Sequence, residues 1–145
     1  MVTDSFRVVC VENCAGESMA ENLANLDALL GSAHDLKPQL VCLPEFYCLL
    51  EENDTSYISE RYSFDEHPAL VHGQGLAKKL NCWVLLGSIP VFFNKEKIKN
   101  RSIMLGPEGE IAAYYDKIHL FDVSIRDGQV YRESNSVSPG DQMVT

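Results

Sequence analysis

Lys117 is the residue of this sequence with the clearest potential for chemistry, because of the segment in which it lies. An apolar, β-rich run at 111–115 leads directly into the lysine, and alternating apolar and polar residues follow it. A strand that leaves the core at this point would hold Lys117 partly buried, near the edge of a sheet. A lysine in that place keeps its charge if carboxylates neutralise it. An isolated lysine is more often an ordinary surface residue, so this interpretation depends on carboxylates from elsewhere.

Two other stretches supply such carboxylates. Glu45 follows the short apolar run 40–43 and Pro44, and Glu133 lies in the run 131–134 within an irregular part of the chain. In parallel α/β sheets ligands bind beyond the carboxyl ends of the strands, which makes a carboxylate held there by a rigid proline a candidate site residue. Judged without the lysine, Glu45 is more often an ordinary glutamate in an exposed loop. Glu45 and Lys117 each stand at the carboxyl end of a predicted strand, so together they predict a charged pair at one edge of a sheet.

The first third of the chain predicts a strand, a helix and a second strand. The run 6–11 is short and β-branched, and the run 40–43 is similar, so both are expected to be buried strands. Between them, apolar residues at spacings of three and four over 19–33 predict a helix. Ser18 and Glu21 form a capping box at its start. Strand, helix and strand at this spacing predict a parallel pair with a right-handed crossover.

The remaining elements extend the predicted sheet. Pro68 is expected to open a second helix that runs to about residue 80, and the run 83–89 predicts a third strand. Gly-Pro-Glu-Gly at 106–109 is a strong turn signal, and it predicts an antiparallel hairpin of strands 100–105 and 110–115. The polar stretch 51–66 predicts a loop with one helical turn over the site. Beyond residue 123 there is little periodicity, which predicts turns and irregular chain.

Composition excludes several classes of function. The 145 residues carry 21 acidic and 12 basic side chains, a net charge of -9 without a dense basic cluster, which argues against nucleic-acid binding. No apolar run is long enough to span a bilayer, and the N-terminus lacks the pattern of a signal peptide. The cysteines are five, an odd number, and Cys10 and Cys42 lie in apolar runs where a free thiol would pack as a small hydrophobe. These features predict a cytoplasmic protein with reduced thiols.

Two motifs suggest a cofactor or a metal, but neither has the full residue pattern of such a site. Gly73 and Gly75 begin a dinucleotide-binding pattern, but Lys78 stands where the third glycine belongs and no strand precedes them. His67 and His72 are five residues apart, whereas a helical zinc site uses histidines four apart. We therefore predict no cofactor and no metal.

Three stretches in order, 43–46, 115–122 and 133–141, resemble the carbon–nitrogen hydrolase (nitrilase) superfamily, and most of all its Nit-type amidase branch. The resemblance covers essentially the whole chain, with Glu12 as one departure, since many members carry Gln there. It implies an α/β fold that is the first half of an α-β-β-α sandwich. Residues 1–145 would then be the N-terminal part of one carbon–nitrogen hydrolase domain, and the full-length form a homo-oligomer.

The resemblance also implies hydrolysis of non-peptide carbon–nitrogen bonds in small linear amides by a Glu-Lys-Glu-Cys mechanism. Glu45 would be the general base, Lys117 would stabilise the oxyanion, and Glu133 would be the second carboxylate. The family's nucleophilic cysteine follows the second glutamate, whereas no cysteine here lies after Cys82, so we expect it beyond Thr145. The sequence therefore predicts that this chain alone is inactive and that its uncovered sheet promotes association.

Two interpretations of this sequence remain open. One is an N-terminal piece of an amidase with a small-molecule amide substrate and no nucleic-acid or membrane partner. The other is a truncated, non-catalytic relative that binds a small molecule or a partner protein. Cys48, three residues after Glu45, is a weak candidate for a reactive thiol, and a core position is its expected role. The candidate cations for an acidic substrate are Arg61, Arg101 and Arg126.

Overall fold

A mixed five-stranded sheet organises the computed structural model, which describes residues 5–50, 62–126 and 128–145. Its strands, adjacent in chain order, are β1 (Val8–Cys10), β2 (Leu40–Cys42), β3 (Trp83–Phe92), β4 (Ile98–Leu105) and β5 (Ile111–Asp116). The strands β1, β2 and β3 are parallel, which confirms the predicted parallel pair, while β4 is antiparallel to both of its neighbours. The strand β5 therefore runs in the same direction as β2, and their carboxyl ends lie at the same edge of the sheet.

Two helices, α1 (Met19–Leu29) and α2 (Pro68–Leu80), pack with the buried side of the sheet into one apolar core. The Ser18 side chain accepts a hydrogen bond from the Glu21 N–H, and Pro68 stands at the start of α2, as the sequence predicts. The first helix is shorter than its apolar pattern predicts, because the chain turns at residues 30–32 and continues as a 3-10 helix, Ala33–Leu36. The core includes Leu26, Val41, Leu70, Leu76, Val84, Leu86, Ile103 and Leu105.

The other face of the sheet is open, which corrects the expectation that β1 and the run before Lys117 are buried. Val8 is 46% exposed, Cys10 is exposed and Cys42 is only half-buried, so neither thiol packs inside a core as predicted. The strand β5 is also largely exposed. Both β1 and β5 are edge strands, and the helices cover one face only. On the open face, four apolar side chains line a shallow depression: Phe6, Leu40, Trp83 and Met104.

The hairpins follow the turn signals in part. The turn at 106–109 joins β4 to β5 as predicted, with Gly109 at a φ of 77°. The strand β3 includes the predicted run 83–89 and continues to Phe92, with an irregular register between Leu86 and Ile89. A second, two-stranded sheet, β6 (Asp122–Ser124) with β7 (Val130–Arg132), occupies a region predicted to be irregular. These strands are short and mostly exposed, so no alternation of apolar and polar residues marks them.

Most of the polar stretch 51–66 lies outside the described residues, and its described end contains a 3-10 turn, Phe64–Glu66. Among the helices that the structure describes, none combines the length and the apolar character needed to cross a bilayer. Within the same residues, no three His, Cys, Asp or Glu side chains lie together as a metal site would require.

Candidate active site

Glu45, Lys117 and Glu133 meet at the carboxyl edge of the sheet. The Lys117 Nζ lies 2.9 Å from Glu45 Oε1 and 3.0 Å from Glu133 Oε2. Lys117 directly follows β5, Glu45 lies three residues after β2, and Glu133 begins a short 3-10 helix after β7. The structure thus brings together all three residues that the sequence singles out, including Glu133, which comes from a region without a clear pattern. One ammonium lies between two carboxylates.

Backbone hydrogen bonds to Ser88 fix the segment that carries Glu45. The Ser88 N–H donates to the Pro44 carbonyl at 2.9 Å, and the Ser88 hydroxyl oxygen accepts from the Phe46 N–H at 3.3 Å. Phe46 itself has a φ of 50°, a left-handed conformation that is uncommon for a bulky residue. The chain therefore makes a sharp turn at Glu45, and the buried Ser88 holds that turn in place.

Two glycines allow the backbones beside the site to approach closely. A Cβ added at Gly87 would overlap the carbonyl oxygen of Leu43, and one added at Gly140 would overlap the carbonyl oxygen of Asp116. The Gly140 N–H donates to the Lys117 carbonyl at 2.9 Å, so the second glycine also anchors the lysine. Each glycine lies beside a segment that delivers a charged side chain, and neither position has room for a methyl group.

The two carboxylates are bound very differently. Glu133 Oε2 accepts from the Phe121 N–H at 2.6 Å and from Lys117, while its Oε1 accepts from the Asn100 amide at 3.2 Å and from Lys117 at 3.3 Å. Glu45 accepts from Asn100 at 2.7 Å and from Lys117, and both bonds go to its Oε1. The side chain of Glu133 is 13% exposed and that of Glu45 is 52% exposed. Glu133 is therefore held on both oxygens, whereas Glu45 is held on one.

The network favours the charged forms of Glu45 and Lys117. Burial raises the pKa of Glu45, but hydrogen bonds from Lys117 and Asn100 outweigh it and leave the pKa below its ordinary value. Burial lowers the pKa of Lys117, but hydrogen bonds from Glu45 and Glu133, together with their charges, leave it raised. At neutral pH the site therefore presents an ionised carboxylate beside a fixed ammonium. This pair can accept a proton from one group and stabilise negative charge that develops on another.

Asn100 is the residue at this site that the sequence interpretation missed. It lies on β4, is 3% exposed, and contacts Glu45, Lys117 and Glu133. The available signal was a polar residue in the interior of a strand, at a position where alternation predicts burial. Such a residue needs hydrogen-bond partners, and here its partners are the three charged residues of the site.

Other candidates from the sequence have different roles. The Arg101 guanidinium forms two hydrogen bonds to Asp116, at 2.7 and 3.0 Å, and lies over the rings of Phe64 and Tyr114. It therefore has partners within the chain already. Arg126 is exposed on the β6–β7 turn, and Arg61 lies outside the described residues. Cys48 is wholly buried in the apolar core, which is the role expected for it.

His67 predicts a pH dependence of stability that is separate from the site. Its ring is fully buried, lies 2.9 Å from the Pro90 carbonyl through Nε2, and accepts the Ala69 N–H through Nδ1. Burial lowers its pKa from 6.5 to about 4. The unfolded chain then binds a proton that the folded chain excludes, so stability is fully present above pH 6.5 and is lost as the pH falls towards 4. We expect the free energy of unfolding to drop by about 2.5 kcal/mol between pH 7.5 and 4.5 from this residue.

Urea unfolding of the wild-type chain and of His67→Gln at both pH values measures this effect. The variant is expected to be less stable at pH 7.5 but to lose less stability on acidification, because glutamine does not titrate. Carboxylates contribute equally to both chains, so the difference between the two losses of unfolding free energy from pH 7.5 to 4.5 isolates the contribution of His67. Equal losses would show that His67 binds its proton as readily in the folded chain as in the unfolded one.

Comparison of the sequence with protein families and known proteins gives one consistent result. The sequence model of the family described as Carbon-nitrogen hydrolase matches residues 13–145. A deaminated glutathione amidase from Yersinia enterocolitica is 32% identical over 140 residues, which are 94% of this chain and 48% of the relative. An omega-amidase NIT2 from Homo sapiens is 27% identical over 147 residues, 97% of this chain and 50% of the relative. The chain spans about half the length of these curated relatives.

Solved structures show the same fold. The Caenorhabditis elegans NitFhit protein matches with a TM-score of 0.77 at 22% identity, over 96% of this chain and 34% of that one. Nit3 of Saccharomyces cerevisiae, described as a member of branch 10 of the nitrilase superfamily, also matches with a TM-score of 0.77 at 22% identity. That match covers 94% of this chain and 49% of Nit3. At 22% identity, the similarity to these two structures is evidence for a shared fold.

Proposed function

The chain belongs to the carbon–nitrogen hydrolase family, and we propose that it supplies the glutamate–lysine–glutamate part of an amidase active site. The observation that carries this proposal is the Lys117 ammonium held between Glu45 and Glu133 at the carboxyl edge of the sheet. The fold is the first half of a nitrilase-type sandwich, as the sequence predicts. We further propose that residues 1–145 are the N-terminal part of one hydrolase domain, whose second sheet covers the open face.

Glu45 is the general base in this proposal. Its Oε1 is occupied by Lys117 and Asn100, and within the described residues nothing donates to its Oε2. The side chain is half exposed and its lowered pKa keeps it ionised at neutral pH, so a free carboxylate oxygen is available to a proton donor. A base must reach the proton that it removes, and an oxygen without an internal partner meets that requirement.

Glu133 has a supporting role, because both of its oxygens already accept hydrogen bonds. It has little capacity left for a transferred proton. Its contribution is to orient the Lys117 ammonium and to keep it charged. The two carboxylates thus have different roles because their surroundings differ.

The chemistry follows from these roles together with a thiol. Glu45 removes the proton from a cysteine thiol, and the thiolate attacks the amide carbonyl carbon. The carbonyl oxygen becomes negatively charged and is stabilised by Lys117. The tetrahedral intermediate collapses, Glu45 returns the proton to the departing amine, and a thioester remains. Water, deprotonated by Glu45, then attacks the thioester, which releases the carboxylic acid and restores the thiol.

We propose that this thiol comes from a cysteine outside the 145 residues. The last cysteine of the sequence, Cys82, precedes both Lys117 and Glu133, and Cys48 is sealed in the core. The names of two relatives, deaminated glutathione amidase and omega-amidase, suggest a small amide with its C(=O)–NH₂ group at the end of a linear chain. We also propose a reducing, cytoplasmic location, with which the odd number of cysteines agrees, and a homo-oligomer for the full-length form.

The purified 145-residue chain is therefore expected to show no hydrolysis of small ω-amides. Ammonia release, followed over hours at high protein concentration, measures this directly. Turnover that disappears in Glu45→Gln would contradict the proposal of an external thiol. It would instead direct attention to Cys48.

Sequencing the transcript beyond the Thr145 codon tests the function as a whole. A downstream cysteine, and ω-amide hydrolysis by the encoded protein that falls about a thousandfold in Glu45→Gln, would support the amidase. Glu108→Gln, in an exposed turn, is the matched control and is expected to retain activity. A stop codon at this point, with no turnover, would favour the alternative of a non-catalytic relative that binds a small molecule or a partner protein.

A further inference from the structure

Asn100 makes contact with each of the three charged residues of the site. Its side-chain amide donates to Glu45 Oε1 at 2.7 Å and to Glu133 Oε1 at 3.2 Å. Its backbone carbonyl accepts the Lys117 N–H at 2.9 Å. We propose that Asn100 is the positioning residue that assigns the proton-accepting role to Glu45 Oε2, and this inference rests on the function proposed above.

The geometry gives the reason. Lys117 and Asn100 both donate to the same oxygen of Glu45, so the carboxylate is anchored through Oε1 and its Oε2 is left for a reacting group. A single donor would leave the carboxylate free to rotate and exchange its oxygens. Two donors on one oxygen fix which oxygen faces outward, which keeps the base in one orientation before a substrate arrives.

The neutrality of the amide matters as well. Glu45 and Glu133 both accept from the same NH₂ group, so two negative carboxylates lie close together. A cationic side chain at position 100 would compete with Lys117 for the two carboxylates, and an anionic side chain there would repel both of them. An amide supplies two N–H donors without altering the net charge of the network.

The placement of Asn100 makes it rigid. It lies in β4, between β3 and β5, opposite Pro90 in the register with β3. Its side chain is buried, so solvent does not compete for its N–H groups. The backbone carbonyl of Asn100 also accepts from the Lys117 N–H. One strand position therefore contacts Glu45, Lys117 and Glu133, which are widely separated in sequence.

The test is an NMR titration of the 145-residue chain, in which Glu carboxyl carbons are labelled and the Glu45 signal is assigned from Glu45→Gln. In Asn100→Ala we expect the proton affinity of Glu45 to rise about tenfold, because the charged form loses a donor. Asn100→Asp is expected to raise it further, since it also adds a negative charge. Asn94→Ala is the matched control, because the Asn94 side chain accepts hydrogen bonds from the backbone N–H groups of Glu96 and Lys97 in a surface turn.

A merely structural role would lower the melting temperature of Asn100→Ala and leave the Glu45 titration unchanged, which would overturn the proposal. Should the variants fail to fold, the wild-type chain still provides a test. The side-chain ¹⁵N resonance of Asn100 is expected to move with the same midpoint as Glu45, because the two groups are hydrogen-bonded. Different midpoints, or no movement, would refute the assignment.

These titrations need no turnover, so they separate this inference from the function on which it rests. In an active full-length enzyme, Asn100→Ala is expected to lower kcat more than it changes KM and to move the acid limb of the pH–rate profile to higher pH. A full-length protein without amidase activity, combined with the expected titrations, would refute the amidase and leave the positioning of the carboxylates established.

Discussion

Replacement of Lys117 by methionine is expected to lower kcat/KM of the proposed full-length amidase by about a hundredfold to a thousandfold. In the proposed mechanism the ammonium faces the developing oxyanion, and loss of a donor of this kind typically costs about 10²–10³ in rate. Methionine keeps much of the side-chain length but carries no charge. It would also remove the hydrogen-bond donor and the charge by which Lys117 lowers the pKa of Glu45, so a smaller fraction of that carboxylate would be ionised and able to accept a proton.

Steady-state kinetics with a small ω-amide measures this loss. Lys79→Met, in an exposed part of α2, removes the same charge far from any proposed chemistry and is expected to retain normal kinetics. The 145-residue chain offers a second readout, since Glu45 in the Lys117→Met variant should take up a proton at higher pH than in the wild-type chain. Activity within about tenfold of wild type would remove Lys117 from the mechanism.

Gly87→Ala is expected to destabilise the folded chain by about 3 kcal/mol or more. The added methyl group would overlap the carbonyl oxygen of Leu43, which is backbone and has no side-chain freedom to move aside. Relief requires β2 and β3 to separate where they are hydrogen-bonded, and overpacking of this kind costs about 1–3 kcal/mol or more. Because Leu43 precedes Pro44 and Glu45, the displacement would also move the proposed general base.

Gly75→Ala provides a matched control with the opposite expected sign. Gly75 lies in α2 with open space around the position of a Cβ, so alanine there is expected to stabilise the chain by about 0.5–1 kcal/mol. Urea unfolding of both variants beside wild type measures the two effects. Similar stabilities for the two variants would mean that the approach of Gly87 to Leu43 relaxes without cost.

The carboxyl-edge rule was sufficient to predict two of the three charged residues. Glu45 and Lys117 each follow a strand, and the pairing of parallel strands brings such residues to one edge whatever their distance in sequence. Glu133 required the family resemblance, since no periodicity marks the short strand before it. Asn100 was missed because a buried polar residue in a strand is identified by its partners, and partners are a property of the folded chain.

The burial of individual strands was harder to predict than their existence. The runs that became β1 and β5 are as apolar as that of β2, yet the structure leaves both of them exposed at the edges of the sheet. Apolar content shows that a strand can be buried. Whether another element covers that strand depends on its place in the sheet, and β1 and β5 lie at the edges. The hairpin of β6 and β7 illustrates the opposite error, since strands exposed on most sides carry no apolar pattern at all.

The unequal spacing of the three charges along the chain has a consequence for the order in which the site assembles. Lys117 is 16 residues from Glu133 and 72 residues from Glu45. The loop-closure entropy of the longer connection is greater by about 1.3 kcal/mol, so the lysine is expected to meet Glu133 first during folding. Glu45 joins when the sheet closes around β3. Glu133, which is held on both oxygens, is thus the carboxylate nearer to Lys117 in sequence. Glu45, the proposed base, is expected to join the site last, when the Lys117 charge is already paired with Glu133.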